Sequence, residues 1–285
     1  MRYLVHAQST PSVSILTTPL ALAAKLTDPR TVLLHTGLKP DRPELAGRAI
    51  PGARYADLSR DFRDPTDELP NTFPTPEQFT AAARRLGINA DSRVVVCDNV
   101  GNYASPRLWF LFRAMGHPEV HILDGGLPAW AAAGQPTAAL DRTATYAAGS
   151  FRAELQPRWV TDLRAVESAL ASGDCTVVDA RSAGRFSGTE PEPRAGLPSG
   201  HLPGSVSLPF FAVLREDGRF RPVGELRRLF QSIAPAPRPL VCSCGSGITA
   251  SILLVASRIA HPERPVSVFD GSWTEYAQRR ILGAP

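Results

Sequence analysis

Ala49-Ile50-Pro51-Gly52-Ala53 and His201-Leu202-Pro203-Gly204-Ser205 are one turn written twice, 152 residues apart. Working outward, Leu16-Thr17 returns as Val160-Thr161, and His35, closing Thr31-Val32-Leu33-Leu34, returns as Asp179, closing Thr176-Val177-Val178; both offsets are 144. Asp124-Gly125-Gly126 returns as Asp270-Gly271-Ser272 at an offset of 146. Four anchors in the same order mark a tandem duplication, and the fold of one half is then the fold of both.

Each half opens with a helical pattern for which Thr17 or Thr161 is a plausible N-cap, followed by an apolar strand and the Pro-Gly turn. A helix comes next, then a second apolar strand (Val94-Val95-Val96 or Leu240-Val241-Cys242), another helix and a third short strand (Val120–Leu123 or Val266–Phe269). Strands alternating with helices, apolar along their whole length, predict an α/β protein in which each half is a parallel sheet covered by helices on both faces. The periodicity breaks between Pro136 and Pro157, which places the two domains at residues 11–138 and 156–285.

The 285 residues are 43% hydrophobic and 20% charged, which excludes wholesale disorder, a fibre and a membrane bundle. A net charge of +4 with no basic block excludes a nucleic-acid-binding tail. Of the 31 basic residues only Lys25 and Lys39 are lysines, and arginine suits bidentate grip on carboxylates. Four cysteines, Cys97, Cys175, Cys242 and Cys244, without a C-x-x-C pair, match neither a disulfide framework nor a four-cysteine zinc site, so a reducing, cytoplasmic compartment is expected. Arg2, Val13-Ser14-Ile15-Leu16 and Leu20–Ala24 imitate a signal peptide only faintly, since Pro19 and the repeat argue against one.

Ligands of open parallel sheets gather at the carboxyl ends of strands, so the segment leaving Pro239-Leu240-Val241-Cys242 is where chemistry is expected. It reads Ser243-Cys244-Gly245-Ser246-Gly247-Ile248-Thr249-Ala250 and then opens a helix. Two glycines let the backbone curl so that successive N–H groups face inward at the positive end of that helix, an environment that pushes a thiol towards thiolate. Cys244 is therefore the candidate nucleophile, while Cys97, Cys175 and Cys242 sit in apolar strand patterns and read as core. A transient pairing of Cys242 with a sulfur-loaded Cys244 is left open.

Three other chemistries fit less well. Gly245-x-Gly247-x-x-Ala250 with Asp270 downstream imitates a dinucleotide fingerprint, but only 15 residues follow Asp270. A cysteine phosphatase needs an arginine six residues after the nucleophile to grip the phosphoryl group, and that position is Ala250. A serine hydrolase elbow needs glycine two residues before Ser246, where Cys244 stands.

Cys244-Gly245-Ser246-Gly247-Ile248-Thr249, Gly200-His201-Leu202-Pro203-Gly204, Asp270-Gly271-Ser272-Trp273 and, most specifically, Gly184-Arg185-Phe186-Ser187-Gly188-Thr189-Glu190-Pro191-Glu192-Pro193-Arg194 together resemble the tandem-domain rhodanese-like sulfurtransferases, on the 3-mercaptopyruvate branch. The resemblance spans nearly the whole chain. It implies two rhodanese-like domains and a persulfide on Cys244, with Ser246 assisting catalysis. It implies that Arg185 and Arg194 bind the substrate carboxylate, and that Gly245, Gly247, Ile248 and Thr249 shape the loop around the donor. It also implies a small-molecule sulfur donor and a thiol acceptor, such as a thioredoxin-like protein, with no metal or organic cofactor, no nucleic acid and no membrane. Asp179 and His201 are read as structural.

Aligning Val94-Val95-Val96-Cys97-Asp98 with Leu240-Val241-Cys242-Ser243-Cys244 puts Asp98 at the nucleophile's position, and a carboxylate cannot accept sulfur, so the first half is expected to be catalytically silent. Rhodaneses specialised for thiosulfate carry cations where Gly245 and Ser246 stand; a neutral loop with two outlying arginines suits 3-mercaptopyruvate better. One departure stands out. The family's mercaptopyruvate enzymes carry a histidine in a Leu-Pro-His-Met-Leu-Pro-like stretch, and here Leu69-Pro70-Asn71-Thr72-Phe73-Pro74 puts Asn71 there, with Ser59 nearest the accompanying acid's position. The alternatives are a thiosulfate sulfurtransferase and a carrier module that hands its persulfide to a protein partner.

Overall fold

A computed structural model describes residues 14–39, 41–235 and 237–283. The expectations on Arg2 and Val13, and the first three residues of the 11–138 domain, lie outside the described residues. The first half runs β1 (Leu16–Thr17), α1 (Pro19–Ala23), β2 (Thr31–Thr36), β3 (Arg48–Ala49), β4 (Arg54–Tyr55), α2 (Pro76–Arg85), β5 (Arg93–Asp98), α3 (Ser105–Ala114), β6 (Val120–Leu123), α4 (Gly126–Ala132) and β7 (Ala138–Ala139). The second runs β8 (Val160–Thr161), α5 (Leu163–Ser172), β9 (Thr176–Asp179), α6 (Ala183–Ser187), β10 (Val206–Ser207), α7 (Val223–Ile233), β11 (Leu240–Ser243), α8 (Ala250–Ala260), β12 (Val266–Phe269) and α9 (Ser272–Tyr276).

The strands form two five-stranded sheets, ordered β1-β6-β5-β2-β4 and, read from the matching edge, β8-β12-β11-β9-β10. Every neighbouring pair in both sheets is parallel. The registers agree with the sequence repeat, since His35 pairs with Cys97 in one sheet and Asp179 with Ser243 in the other, leaving Cys244 one residue beyond its strand. The β3 and β7 strands form a separate antiparallel pair.

Local chemistry explains most element boundaries and corrects one. Thr17 and Thr161 do not cap helices; they end the edge strands β1 and β8. The caps are the next residues, Thr18 accepting from Ala21 N and Asp162 accepting from Ala165 N. Thr75 and Gln78 close a reciprocal capping box on α2 with Pro76 in its first turn.

One sheet face of each half packs into a single shared core, in which α3 and α8 are almost wholly buried. The other faces carry separate clusters built from corresponding residues: Leu33, Val95 and Leu123 in one half, Val177, Val241 and Phe269 in the other. The segment joining the halves is anchored to the first, with Phe151 N donating to Ile88 O at 3.0 Å and Ala153 N to Thr80 Oγ1 at 3.0 Å.

The halves also exchange equivalent hydrogen bonds. Asp270 Oδ2 accepts from Phe73 N at 2.6 Å, and Asp124 Oδ1 accepts from Phe220 N at 3.0 Å. Asn102 Nδ2 also crosses to Gly218 O at 3.0 Å, while Asn71 O is held from within its own half by Arg107 Nη2 at 2.7 Å. Each half thus lays a loop across the carboxyl end of the other's sheet, as in an isologous dimer. Asn71 lies over the Cys244 loop, and Gly218 lies over its counterpart.

Candidate active site

Cys244 follows β11 directly and is buried, 2% exposed. Gly247, at φ +82, turns the loop so that its N–H donates to Cys244 Sγ at 3.1 Å. A second segment holds the loop from behind. Ser272 Oγ accepts from Cys244 N at 3.1 Å and Gly247 N at 3.2 Å, and Thr274 Oγ1 donates to Gly245 O at 2.6 Å. Trp273 N and Thr274 N donate to Cys244 O and Gly245 O. Ser272 does this from a left-handed backbone at φ +52, sparsely populated by non-glycine residues.

Two guanidiniums reach this loop from the segment after β9. Arg185 lies in the short helix α6; Ser182 caps α6 and Gly188 ends it at φ +85. Arg194 lies in the loop beyond and donates from Nη2 to Ser246 Oγ at 2.9 Å. Both converge on Gly245: a Cβ there would stand 2.8 Å from Arg185 Nη2 and 3.8 Å from Arg194 Nη1.

Buried carboxylates set the arginines in place. Glu192 takes Arg185 Nε at 3.1 Å and Nη2 at 2.6 Å, and Arg181 Nη1 at 2.8 Å. Burial pushes the Glu192 carboxyl up, but the hydrogen bonds and charges of Arg185 and Arg181 outweigh it, so the net shift is downward. Asp179 holds Arg181 through Nε and Nη2 and anchors the loop. His201 stacks on Phe186 at 4.0 Å between ring centres and engages its carbonyl at 2.9 Å, packing against α6 as a structural residue.

The first half supplies the facing wall. Asn71 Nδ2 lies 2.9 Å from Ser246 Oγ, and Arg107, 1% exposed on α3, bonds Asp270 Oδ1 at 2.7 Å and reaches Gly247 O at 3.4 Å. Burial and the nearby Cys244 charge push the Tyr103 phenol above its ordinary value. In the corresponding loop of this half, Asp98 puts its carboxylate where the nest of N–H groups points. It accepts from Val100, Gly101, Tyr103, Ala104 and Ser105 N and from Ser105 Oγ, all between 2.7 and 3.0 Å. This loop is an anion nest with a built-in anion.

The sequence matches the rhodanese-like domain over residues 19–133 and again over residues 162–279. The chain belongs to the rhodanese-like family. The human 3-mercaptopyruvate sulfurtransferase is 39% identical over 242 residues, covering 84% of this chain and 80% of the relative. The rat thiosulfate sulfurtransferase is 37% identical over 248 residues, covering 85% and 82%. The crystal structure of SseA from Escherichia coli superposes with a TM-score of 0.80 at 30% identity, over 92% of this chain and 99% of that one.

Of the residues predicted from sequence, this rhodanese-like fold brings Cys244, Gly245, Ser246 and Gly247 together with Arg185 and Arg194. Ile248 and Thr249 complete the turn, half-buried, and Thr249 opens α8 without capping it through its side chain. Burial pushes the Cys242 thiol far up, and the Cys244 charge adds to it, leaving Cys242 a core residue. Sequence reasoning missed Glu192, Ser272, Thr274, Arg107 and Tyr103. An acid between two arginines and an arginine inside the apolar run Arg107-Leu108-Trp109-Phe110 were the available signals. Among the described residues no group of three or more His, Cys, Asp or Glu could hold a metal ion, and no helix is long and apolar enough to cross a membrane.

Proposed function

We propose that this protein is a sulfurtransferase that moves sulfur from 3-mercaptopyruvate, through a persulfide on Cys244, to a thiol or cyanide. The observation that carries this reading is the convergence of Arg185 and Arg194 on Gly245, beside Cys244, with Glu192 bonded to one of them. Two guanidiniums and one carboxylate leave one unit of positive charge at the loop, suited to a monoanionic keto acid rather than a dianion. Relatives named for each donor exist, so the choice rests on this charge balance.

In the proposed reaction Arg185 and Arg194 hold the donor carboxylate and the Cys244 thiolate attacks the donor sulfur. The carbon–sulfur bond breaks, and its electron pair leaves as the enolate of pyruvate. The proton carried by the donor thiol ends on the enolate carbon, and the loop N–H groups hold the persulfide anion. An acceptor thiolate then takes the outer sulfur and restores Cys244. Residues 11–138 form the silent domain and residues 156–285 the catalytic one. The four unpaired cysteines support a cytoplasmic setting with a thioredoxin-like acceptor.

The test is kcat/KM for 3-mercaptopyruvate over thiosulfate with one acceptor, using Cys244→Ser as the blank. The ratio should be well above one, and a mass increase of one sulfur atom should appear on the wild-type chain and not on Cys244→Ser. A ratio at or below one would replace this reading with a thiosulfate sulfurtransferase, and loading with negligible turnover would replace it with a persulfide carrier.

A further inference from the structure

Ser246 Oγ has one proton and two lone-pair directions. Asn71 Nδ2 and Arg194 Nη2 approach it, each at 2.9 Å. The Asn71 atom facing it is the amide nitrogen, because the same atom stands 3.4 Å from the Ser246 carbonyl oxygen, where an amide oxygen would be repelled. Both lone pairs are therefore occupied by donors from opposite halves, and the Ser246 proton is free only for an acceptor brought by the substrate.

Asn71 is fixed from behind. Its backbone is left-handed at φ +60, a conformation asparagine tolerates better than most residues. Its carbonyl takes Arg107 Nη2 at 2.7 Å, and Arg107 is itself pinned by Asp270, whose second oxygen takes Phe73 N. The amide thus faces Ser246 in one orientation, and it cannot titrate or pass a proton on.

We propose that Asn71 is a positioning residue that locks the Ser246 hydroxyl as a hydrogen-bond donor to the keto oxygen of the bound donor, which becomes the enolate oxygen when the carbon–sulfur bond breaks. Ser246 then acts as an oxyanion-hole donor of fixed polarity and not as a proton relay. This rests on the mercaptopyruvate reading above. Removing one oxyanion-hole donor lowers kcat by about 10²–10³.

The test is a double-mutant cycle on kcat with 3-mercaptopyruvate, using Asn71→Gly, which keeps the φ +60 backbone, Ser246→Ala and the double variant. Ser246→Ala should lose about 100-fold and Asn71→Gly about tenfold, and the double variant should match Ser246→Ala, since Asn71 acts only through the hydroxyl. With thiosulfate, whose leaving group is sulfite, Asn71→Gly should lose several-fold less. Asn71→Asp, nearly isosteric and acceptor-only, should turn the hydroxyl around and lower kcat at saturating donor at least as far as Asn71→Gly. Additive losses in the cycle, or equal losses with both donors, would overturn the proposal while leaving the donor assignment standing. A wild-type protein that releases no pyruvate would overturn the donor assignment itself, and this proposal with it.

Discussion

Gly245 shows how little of a site a single residue reveals until its neighbours are known. Its backbone is not left-handed, so the obstacle to a side chain is the Arg185 guanidinium, 2.8 Å from where a Cβ would stand. Gly245→Ala should fold normally, because the obstacle is the far end of a flexible side chain, and push the guanidinium off the donor carboxylate, leaving Glu192 to hold it through Nε. Losing one charge-assisted hydrogen bond costs about 1.5–3 kcal/mol, which predicts a rise of about tenfold or more in KM for mercaptopyruvate with a smaller change in kcat. Steady-state kinetics check it, and an unchanged KM would remove Arg185 from the binding role. The sequence marked Cys244, Arg185 and Arg194 because nucleophile and cation chemistry follow from residue type. It did not mark Glu192 or Thr274, whose importance comes from what they touch: an acid reads the same exposed or buried until a partner is placed beside it.

At the scale of elements, legibility followed length and periodicity. The β2, β5, β9 and β11 strands are apolar runs buried on both faces and could be read directly. The β1 and β8 strands are two residues long and carry no period, and α6 contains a glycine and no buried residue, so only its caps define it. The β5–α3 loop makes the duplication testable, because the nest that closes around Asp98 corresponds to the loop around Cys244, 146 residues on. Asp98→Ala would strand five N–H groups, three of them buried, and a buried hydroxyl. Unsatisfied buried donors cost about 1–3 kcal/mol each before relaxation, so a net loss of about 3 kcal/mol or more is expected. That corresponds to a fall in melting temperature of about 6–12 °C, measurable by calorimetry. A melting temperature within a degree of wild type would mean the nest needs no anion.

The whole molecule behaves as one core shared by two halves, and its acid stability should report a buried group beneath the segment that joins them. His117 follows α3 and is fully buried against Phe112 and Phe151, the latter from the joining segment. One ring nitrogen lies 3.3 Å from Asn89 O, and the other has no partner among the described residues. Burial is the main cause that pushes its pKa down to about 4, while the unfolded chain titrates near its ordinary value of 6.5. The unfolded state therefore binds the proton first. The neutral ring's contribution is complete above pH 6.5 and is lost as pH falls to about 4, amounting to about 3 kcal/mol at about 1.4 kcal/mol per pH unit. His35, also lowered by burial, adds in the same direction. Denaturant unfolding at a series of pH values should show the wild-type stability falling through this window, and His117→Leu should remove His117's share of the slope while His35's remains. Identical slopes in the two proteins would mean that the joining segment lifts and lets His117 titrate in water before the chain unfolds.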